Sequence, residues 1–337
     1  MPSYLVDLAV NKNGVPYTLY KQGESDRVSN FQGNAWGLVG SRDFLPFQYR
    51  AVGMDVSNSG IPMVAFNQSN SQGSNIGTGV TAYKNGGWII EPGAGISGSI
   101  FASSIAIDGQ GKPVVAFFDS RDPDRRRALS ILRFNNGWEP VGPLRFTSPS
   151  VQLKDPQIKI SSNGDLIVSF LDLNSDKVSV MMYSTGKNAW EYVGLPNINN
   201  KVVLYHQLAL GSTGSIFLAV DGVGPANFLS VWKYSGSTWE NVGSPDIANF
   251  RSDFSLVVDG GNTPFLGYSD FDSGVFKIIG AHGGVWSSLR NPGVVPGLTT
   301  GASTENLAVS SEGIIFAGIS DGELGGGLTI LKTGYEP

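Results

Sequence analysis

The sequence lacks cysteine altogether and contains only two histidines among its 337 residues. The absence of thiols excludes disulfide bonds, a thiolate nucleophile and every cysteine-ligated zinc site. Two histidines are too few to favour a histidine-based metal centre, and no D-x-D-x-D-G loop of the kind that binds Ca²⁺ occurs. We therefore expect neither a bound metal nor a cofactor.

Charged residues and long hydrophobic runs are also scarce. Charged residues make up 15% of the chain and give a net charge of -5. This balance argues against a nucleic-acid partner, because phosphate backbones are bound by a basic face. No apolar run approaches the roughly 20 residues that span a bilayer, so we expect no membrane insertion. The first residues lack the basic and apolar regions of a signal peptide, and we expect none in this chain.

Glycine and short apolar segments are abundant instead. The chain has 45 glycines and 18 prolines, and no stretch keeps the apolar period of about 3.6 residues that marks a helix. The apolar segments alternate with polar residues and are rich in β-branched and aromatic side chains, which is typical of strands. We therefore predict an all-β protein with almost no helix.

One pattern recurs seven times along the chain, at intervals of about 50 residues. Each copy contains an aromatic residue, in G-x-W or an equivalent segment, and a turn upstream of it built on glycine or asparagine. The aromatic residues are Trp36, Trp88, Trp138, Trp190, Trp239, Trp286 and Tyr335. The turn residues are Gly14, Gly60, Gly111, Gly164, Gly214, Asn262 and Gly313.

Each repeat contains four short strands, called here strands a, b, c and d. The turn joins strand a to strand b, a variable loop joins b to c, and the aromatic residue begins strand d. This arrangement predicts a seven-bladed β-propeller with four antiparallel strands per blade and the aromatic residue packed between blades. We expect a single domain over residues 1–337, closed by contact between strands a of the first and last blades. The predicted blades cover residues 5–47, 48–98, 99–149, 150–199, 200–248, 249–296 and 297–337.

The repeat consensus resembles a known family. It reads (L/I)-A-(V/I)-x-x-x-G-x-P-x-V-A-(F/Y)-x-D, followed by G-x-W-x-x-V-G. Over essentially the whole chain these motifs resemble the Trp-Val-Gly propeller repeats of surface or exported proteins in bacteria and some protists, and the chain is loosely similar to propeller lectins. The resemblance implies a propeller fold and a secreted or cell-surface location. Its motif residues serve packing and turns, so they imply little about a ligand.

The long variable loops indicate where binding is expected. Loops b–c and d–a are long and differ between repeats, and variable loops on a rigid scaffold usually carry binding. Strand b ends beside these loops in an acceptor side chain in every repeat. A ring of such acceptors could coordinate a cation or hold sugar hydroxyls, or each side chain could have the structural role of capping its own turn. Repetition favours the cap. The acceptors are Gln22, Gln68, Asp119, Asp172, Asp221, Asp270 and Asp321, and the candidate ligand-binding residues among them are Asp119, Asp172, Asp270 and Asp321.

Arginines break the symmetry of the repeats on the same loops. The third b–c loop reads S-R-D-P-D-R-R-R, and planar guanidinium groups can hold a carboxylate or sulfate on an acidic sugar. A solvated loop with local Asp–Arg pairs is the alternative. The candidate ligand-binding arginines are Arg121, Arg125, Arg126 and Arg127 in this loop, and Arg50 and Arg251 in d–a loops.

One histidine, His206, directly precedes strand a of the fifth repeat beside Tyr205. Some propeller polysaccharide lyases use a His/Tyr/Arg constellation near this location, so these two residues are the catalytic candidates of an enzymatic alternative. Adjacent residues of a strand point to opposite sides, and a structural histidine is the favoured interpretation.

Small polar residues stand just before strand a in most repeats, and they suggest a hydrated channel mouth. They are Asp7, Ser104, Gln157, Gln207, Ser255 and Asn306. Asp55 and Lys159 replace apolar residues within strand a itself. We expect those two residues to pair or to contact water.

Three hypotheses for the function follow from the sequence. The first is a non-enzymatic binding module for a glycan or protein ligand, because the repeats are nearly uniform and carry no concentrated catalytic set. The second is a polysaccharide lyase or glycosidase that acts on an acidic glycan. The third is a structural propeller unit of a larger surface protein.

Overall fold

A computed structural model of the chain describes residues 3–92, 96–97, 100–119, 127–148, 152–198, 202–222, 228–289, 306–321 and 327–334. Within these ranges the chain forms strands joined by turns, and no helix occurs. The described residues accordingly include no helical segment with the length and hydropathy needed to cross a membrane. The all-β prediction is confirmed.

The strands are short and follow one another in a regular order. Most are separated by tight turns, as the abundance of glycine predicts. They are β1 (Ser3–Val10), β2 (Pro16–Gln22), β3 (Ser25–Gln32), β4 (Ala35–Leu38), β5 (Tyr49–Val56), β6 (Pro62–Ser69), β7 (Asn75–Lys84), β8 (Gly87–Ile90), β9 (Ile96–Ser97), β10 (Ile100–Ile107), β11 (Pro113–Asp119), β12 (Ala128–Phe134), β13 (Trp138–Pro140), β14 (Leu153–Ile160), β15 (Leu166–Asp172), β16 (Lys177–Ser184), β17 (Ala189–Tyr192), β18 (His206–Leu210), β19 (Ile216–Gly222), β20 (Phe228–Tyr234), β21 (Trp239–Asn241), β22 (Ala248–Val258), β23 (Pro264–Asp270), β24 (Phe276–His282), β25 (Val285–Ser288), β26 (Asn306–Val309), β27 (Ile314–Asp321) and β28 (Gly327–Gly334).

Each repeat forms an antiparallel sheet in which successive strands pair in chain order. The second sheet carries the extra strand β9 on β7, and the fifth is joined to the sixth by a short pairing of β20 with β22. Of the seventh sheet, the strands β26, β27 and β28 lie among the described residues. The fold is therefore all-β and of the β-propeller type, built from four-stranded antiparallel blades as predicted.

The chain divides into two compact units. The central unit is Gly40–Val202 and holds the second, third and fourth sheets. The terminal unit combines Met1–Val39 with Val203–Pro337 and holds the other four. The assembly of both units into one domain of seven blades with the predicted bounds stays a prediction.

The tryptophan that begins strand d packs against the preceding sheet. In the central unit, Trp190 Nε1 donates a hydrogen bond of 2.9 Å to the carbonyl oxygen of Val141. The next residue, Gly142, has a φ of 72°, and a Cβ atom there would lie 3.0 Å from the ring of Tyr183. In the terminal unit, Trp286 donates in the same way to Val242, at 2.7 Å. This contact explains the Val-Gly dipeptide and confirms, for the fourth and sixth repeats, that the aromatic residue packs between sheets.

The polar residues just before strand a tie neighbouring inner strands together. In the central unit Ser104 Oγ accepts the backbone N–H of Ile158 at 3.2 Å. In the terminal unit Ser255 Oγ accepts the N–H of Leu307 at 2.9 Å. These side chains satisfy backbone groups that the sheets leave unpaired, which gives Ser104 and Ser255 a structural role, and the hydrated channel mouth stays a prediction.

Asp55, within strand a, also ties two neighbouring inner strands together through its side chain. Its Oδ2 accepts the N–H of Ile107 at 2.8 Å and its Oδ1 that of Val56 at 2.7 Å. Burial raises the pKa of Asp55, while these two hydrogen bonds and the charge of Lys159 lower it in part. The carboxylate therefore serves the junction between the second and third sheets.

The first and last sheets meet within the terminal unit. Strand β1 contacts β26, β27 and β28, and Asn306 Nδ2 donates to the carbonyl oxygen of Val6 at 3.3 Å. Leu5 is 2% exposed and packs over Gly318 of β27. The predicted contact between the first and last strands a is confirmed.

Candidate functional site

The acceptor side chains predicted to close strand b lie where the sequence placed them. Strands β2, β11, β15, β23 and β27 each end at such a residue, and Gln68 and Asp221 are the second-last residues of β6 and β19. For Asp321 the backbone is described and the side chain lies outside the described residues.

Two of the candidate aspartates cap their own turns. Asp172 Oδ1 accepts the N–H of Asn174 at 2.9 Å, and Asp270 Oδ1 accepts that of Ser273 at 2.9 Å. Asp270 also pairs with Lys277 Nζ at 2.8 Å. These contacts agree with the structural alternative, in which each repeated acceptor caps its own turn. A ligand-binding role for these two residues stays a prediction.

The pKa of Asp270 supplies a test of this capping. Burial alone would raise the pKa, and the hydrogen bonds from Lys277 and Ser273 outweigh it and lower the pKa to about 2. Because the folded-state pKa is depressed, the stabilisation is present above about pH 4 and lost as the pH falls towards 2. We expect the difference in free energy of unfolding between the wild-type protein and Asp270→Asn to shrink over that interval in urea titrations. Asp272→Asn, at an exposed neighbouring carboxylate, is the matched control.

Asp221 holds the segment that enters the fifth sheet. Its Oδ1 accepts the N–H groups of Leu204 and Tyr205, at 2.8 and 3.0 Å. His206 pairs with Val220 and is 2% exposed, whereas Tyr205 is 46% exposed. The two catalytic candidates therefore point in opposite directions, as expected, and the imidazole is enclosed by protein.

The third sheet brings Asp119 and Arg145 together at its b–c and d–a end. Asp119 is fully buried at the end of β11, and Arg145 Nη1 lies 3.4 Å from its Oδ2. Arg145 adopts a φ of 51°, and its backbone N–H donates to Ser130 Oγ at 2.8 Å. Two further hydrogen bonds fix this loop along β12, from Leu129 N to Thr147 Oγ1 and from Phe146 N to the Leu129 carbonyl.

An open depression of about 380 Å³ lies over this loop. Its walls come from the loop and from the start of β17, and Phe146 stacks on Trp190 at its base with ring centroids 5.0 Å apart. Leu144 is 37% exposed on the wall. The depression thus combines an aromatic base, a guanidinium group and hydroxyl groups, which are the contacts that sugars use.

The structure brings Asp119 to Arg145, which lines this depression, and Arg127 directly precedes Ala128, the cross-strand partner of Asp119. Arg127 precedes β12 with a φ of 61°, and Arg50 lies exposed on β5. Arg121, Arg125 and Arg126, and the side chain of Arg251, lie outside the described residues. The sequence places Asp119 and Arg145 at the same end of the sheets, in a strand b end and a d–a loop. It does not predict that they pair, because the two are 26 residues apart and their contact depends on how the d–a loop folds back.

These sheets and their tryptophan contacts define the chain as a protein of the β-propeller class. No protein-family model matches the sequence, and no curated protein matches it.

Among the described residues, no group of three or more His, Asp or Glu side chains could hold a metal ion.

Several solved structures resemble the chain in fold. An ulvan lyase, a polysaccharide lyase solved with a bound GlcA(1-4)Rha3S repeat, matches with a TM-score of 0.61 and 12% identity, over 97% of this chain and 91% of its own. A Hadza microbial sialidase matches with a TM-score of 0.53 and 14% identity, over 99% and 66%. A mutant of the Aleuria aurantia lectin in complex with Fucα1-6GlcNAc matches with a TM-score of 0.50 and 14% identity, over 87% and 96%. At these identities the likeness shows the fold alone.

Proposed function

We propose that the chain is a non-enzymatic binding protein for glycans that carry a carboxylate or sulfate group, and that it uses the b–c and d–a end of the third sheet. The observation that carries the proposal is the depression in which Arg145, held by the buried Asp119, stands beside the Phe146–Trp190 pair. The aromatic pair offers apolar area to a sugar ring, and the guanidinium group offers planar donors to an anion.

The sequence around this depression supports an anionic ligand. Four arginines follow Asp119 within eight residues, namely Arg121, Arg125, Arg126 and Arg127. Against the two aspartates of the same segment, Asp122 and Asp124, these four arginines leave a net charge of +2, and an excess of positive charge favours an anionic ligand. The polysaccharide lyase and the sialidase of similar fold belong to classes that act on acidic sugars, which fits the same ligand chemistry.

The resemblance to Trp-Val-Gly repeat proteins belongs to the same proposal. The Trp190–Val141 and Trp286–Val242 hydrogen bonds give the Trp and Val-Gly motifs a shared physical role. Membership of that group favours a secreted or cell-surface location, where acidic polysaccharides are accessible.

Leu144 provides a test that leaves the internal contacts of the depression in place. We expect Leu144→Glu to weaken binding to sulfated and uronate-containing glycans at least tenfold, because it adds a like charge to the wall. Leu144→Lys should bind as well as the wild-type protein or more tightly. The measurement is a glycan array followed by calorimetric titration of the tightest anionic glycan. Lys187→Ala, at an exposed turn of the fourth sheet, is the control.

Equal binding by the two Leu144 variants would reject this site. If the chain binds proteins and no glycan, the ligand of the binding module is a protein and the glycan proposal is rejected. Binding to no glycan and no protein would favour the structural-unit hypothesis.

The lyase alternative predicts turnover. A lyase acting on a uronate polysaccharide produces an unsaturated sugar that absorbs in the ultraviolet, and His206→Ala should abolish that signal. The burial of His206 argues against direct contact between its ring and a polymer. Product formation that depends on His206 would overturn the non-enzymatic proposal.

A further inference from the structure

A second and larger depression lies at the opposite end of the central unit's sheets. Its volume is about 810 Å³, within the roughly 300–1,000 Å³ of small-molecule sites. Three consecutive a–b turns form its walls, beginning at Ser57, Asp108 and Ser161. Arg133 on β12 and Glu139 on β13 stand on its floor, where they face each other across the strand pair. The long b–c and d–a loops predicted binding at the other end of the sheets, so the residues of these short a–b turns are not among the predicted site residues.

An adjoining depression of about 300 Å³ extends this cavity along the fourth sheet. The two share Arg133, Glu139 and Gly164, and the smaller one continues past Tyr183 and Thr185. Together they form a groove across the turn end of the second, third and fourth sheets. Because its lining continues across three sheets, the groove can accommodate an elongated ligand with several repeated units.

The walls of the groove are fixed by the turns themselves. Asp108 Oδ1 accepts the N–H groups of Gln110 and Lys112, at 3.0 and 2.9 Å. Ser161 Oγ accepts that of Asp165 at 3.0 Å, and Ser57 Oγ that of Ile61 at 3.0 Å. A ligand therefore meets preformed walls, which lowers the entropy cost of binding.

The chemistry of the groove favours a neutral ligand rich in hydroxyl groups. Arg133 Nε lies 3.5 Å from Asp108 Oδ2, and Glu139 is the cross-strand neighbour of Arg133. The charges of Lys112 and Arg133 are thus offset by Asp108 and Glu139, and no excess positive charge is left to attract an anion. Exposed amides line the rim, at Asn58, Gln110 and Asn163.

Amides, carboxylates and a guanidinium group together donate and accept hydrogen bonds at close spacing. Neighbouring sugar hydroxyls do the same, whereas a peptide would need apolar pockets for its side chains. We infer that this groove, with Arg133 at its centre, binds a neutral oligosaccharide, separately from the anionic-glycan site at the other end of the sheets.

The experiment titrates the full chain with a panel of neutral glucose-, galactose-, mannose- and fucose-based oligosaccharides and with sulfated or uronate-containing ones. Arg133→Ala is expected to weaken binding of the tightest neutral oligosaccharide at least tenfold. Gln110→Ala, which removes only an exposed amide, is expected to weaken it at least threefold. Leu144→Glu at the other end should leave this binding unchanged while reducing that of the anionic glycans.

Thr185→Trp tests the link between the two depressions. Filling the smaller one should weaken binding of a long neutral oligosaccharide at least fivefold and leave its disaccharide unit bound as before. The inference is overturned if no neutral oligosaccharide binds, or if binding is insensitive to both Arg133→Ala and Gln110→Ala. If, in that case, Leu144→Glu still weakens the binding of anionic glycans, the proposed function stands and only the inference about the groove is rejected.

Discussion

Gly318→Val is expected to lower the free energy of unfolding by about 3 kcal/mol, at the upper end of the range for overpacked cores. Gly318 lies on β27 in the terminal unit, where a Cβ atom would come 2.4 Å from Leu5 Cδ2 and 3.3 Å from Ile330 Cδ1. Leu5 is 2% exposed, so its methyl groups have little free space to move into. The inserted side chain must therefore push the first strand away from the last sheet. Urea unfolding followed by tryptophan fluorescence measures the loss.

Gly87→Val is the matched control for this prediction. Gly87 also lies in a strand, and no atom lies within 4 Å of a Cβ built on it. A valine there should change the free energy of unfolding by no more than about 0.5 kcal/mol, as at most surface positions. An equal loss in both variants would show that strand glycines as such, and not the Leu5 contact, set the cost.

A double-mutant cycle isolates the contact itself. Leu5→Ala alone should cost about 2–5 kcal/mol, because it opens a cavity between the two sheets. The double variant with Gly318→Val should lose at least about 1 kcal/mol less than the sum of the two single losses. The reason is that the cavity opened by Leu5→Ala makes room for the valine side chain. Strict additivity would contradict the packing of β1 on β27.

The repeated features of the fold could be predicted from the sequence because each repeat encodes them locally. A pattern within one repeat is enough to predict the turn at Gly111, the strand that ends at Asp119 and the position of Trp190.

The partner of each tryptophan could not be predicted from the sequence. Trp190 bonds to Val141, 49 residues earlier, and regular spacing does not reveal which atoms of adjacent sheets meet.

The candidate sites were predictable only in part for the same reason. Arginine-rich loops stand out in the sequence, so the end of the third sheet near Asp119 was found. The groove around Arg133 depends on three turns lying side by side. Ser57, Asp108 and Ser161 each look like ordinary turn formers when taken alone. Only the relative placement of the sheets shows that their turns enclose a cavity.

Trp190→Ala should cost about 3–5 kcal/mol, the range for removing a buried aromatic side chain. Trp190 is 7% exposed, and its ring lies 5.0 Å from Phe146 and 5.5 Å from Tyr183. Its Nε1 also satisfies the carbonyl of Val141. Truncation therefore removes packing on both sides of a sheet junction and leaves a buried acceptor unpaired.

Two companion variants separate packing from hydrogen bonding. Trp190→Phe keeps much of the ring volume but removes the N–H donor, so it should cost about 1–3 kcal/mol. Trp36→Ala changes the same position of the first repeat, where the ring is 41% exposed, and should cost at most about 1 kcal/mol. Equal losses at Trp36 and Trp190 in urea unfolding would contradict the argument. The tryptophan would then stabilise the fold through its place in strand d. The structure instead attributes the stabilisation to the contact between the tryptophan and the Val-Gly of the preceding sheet.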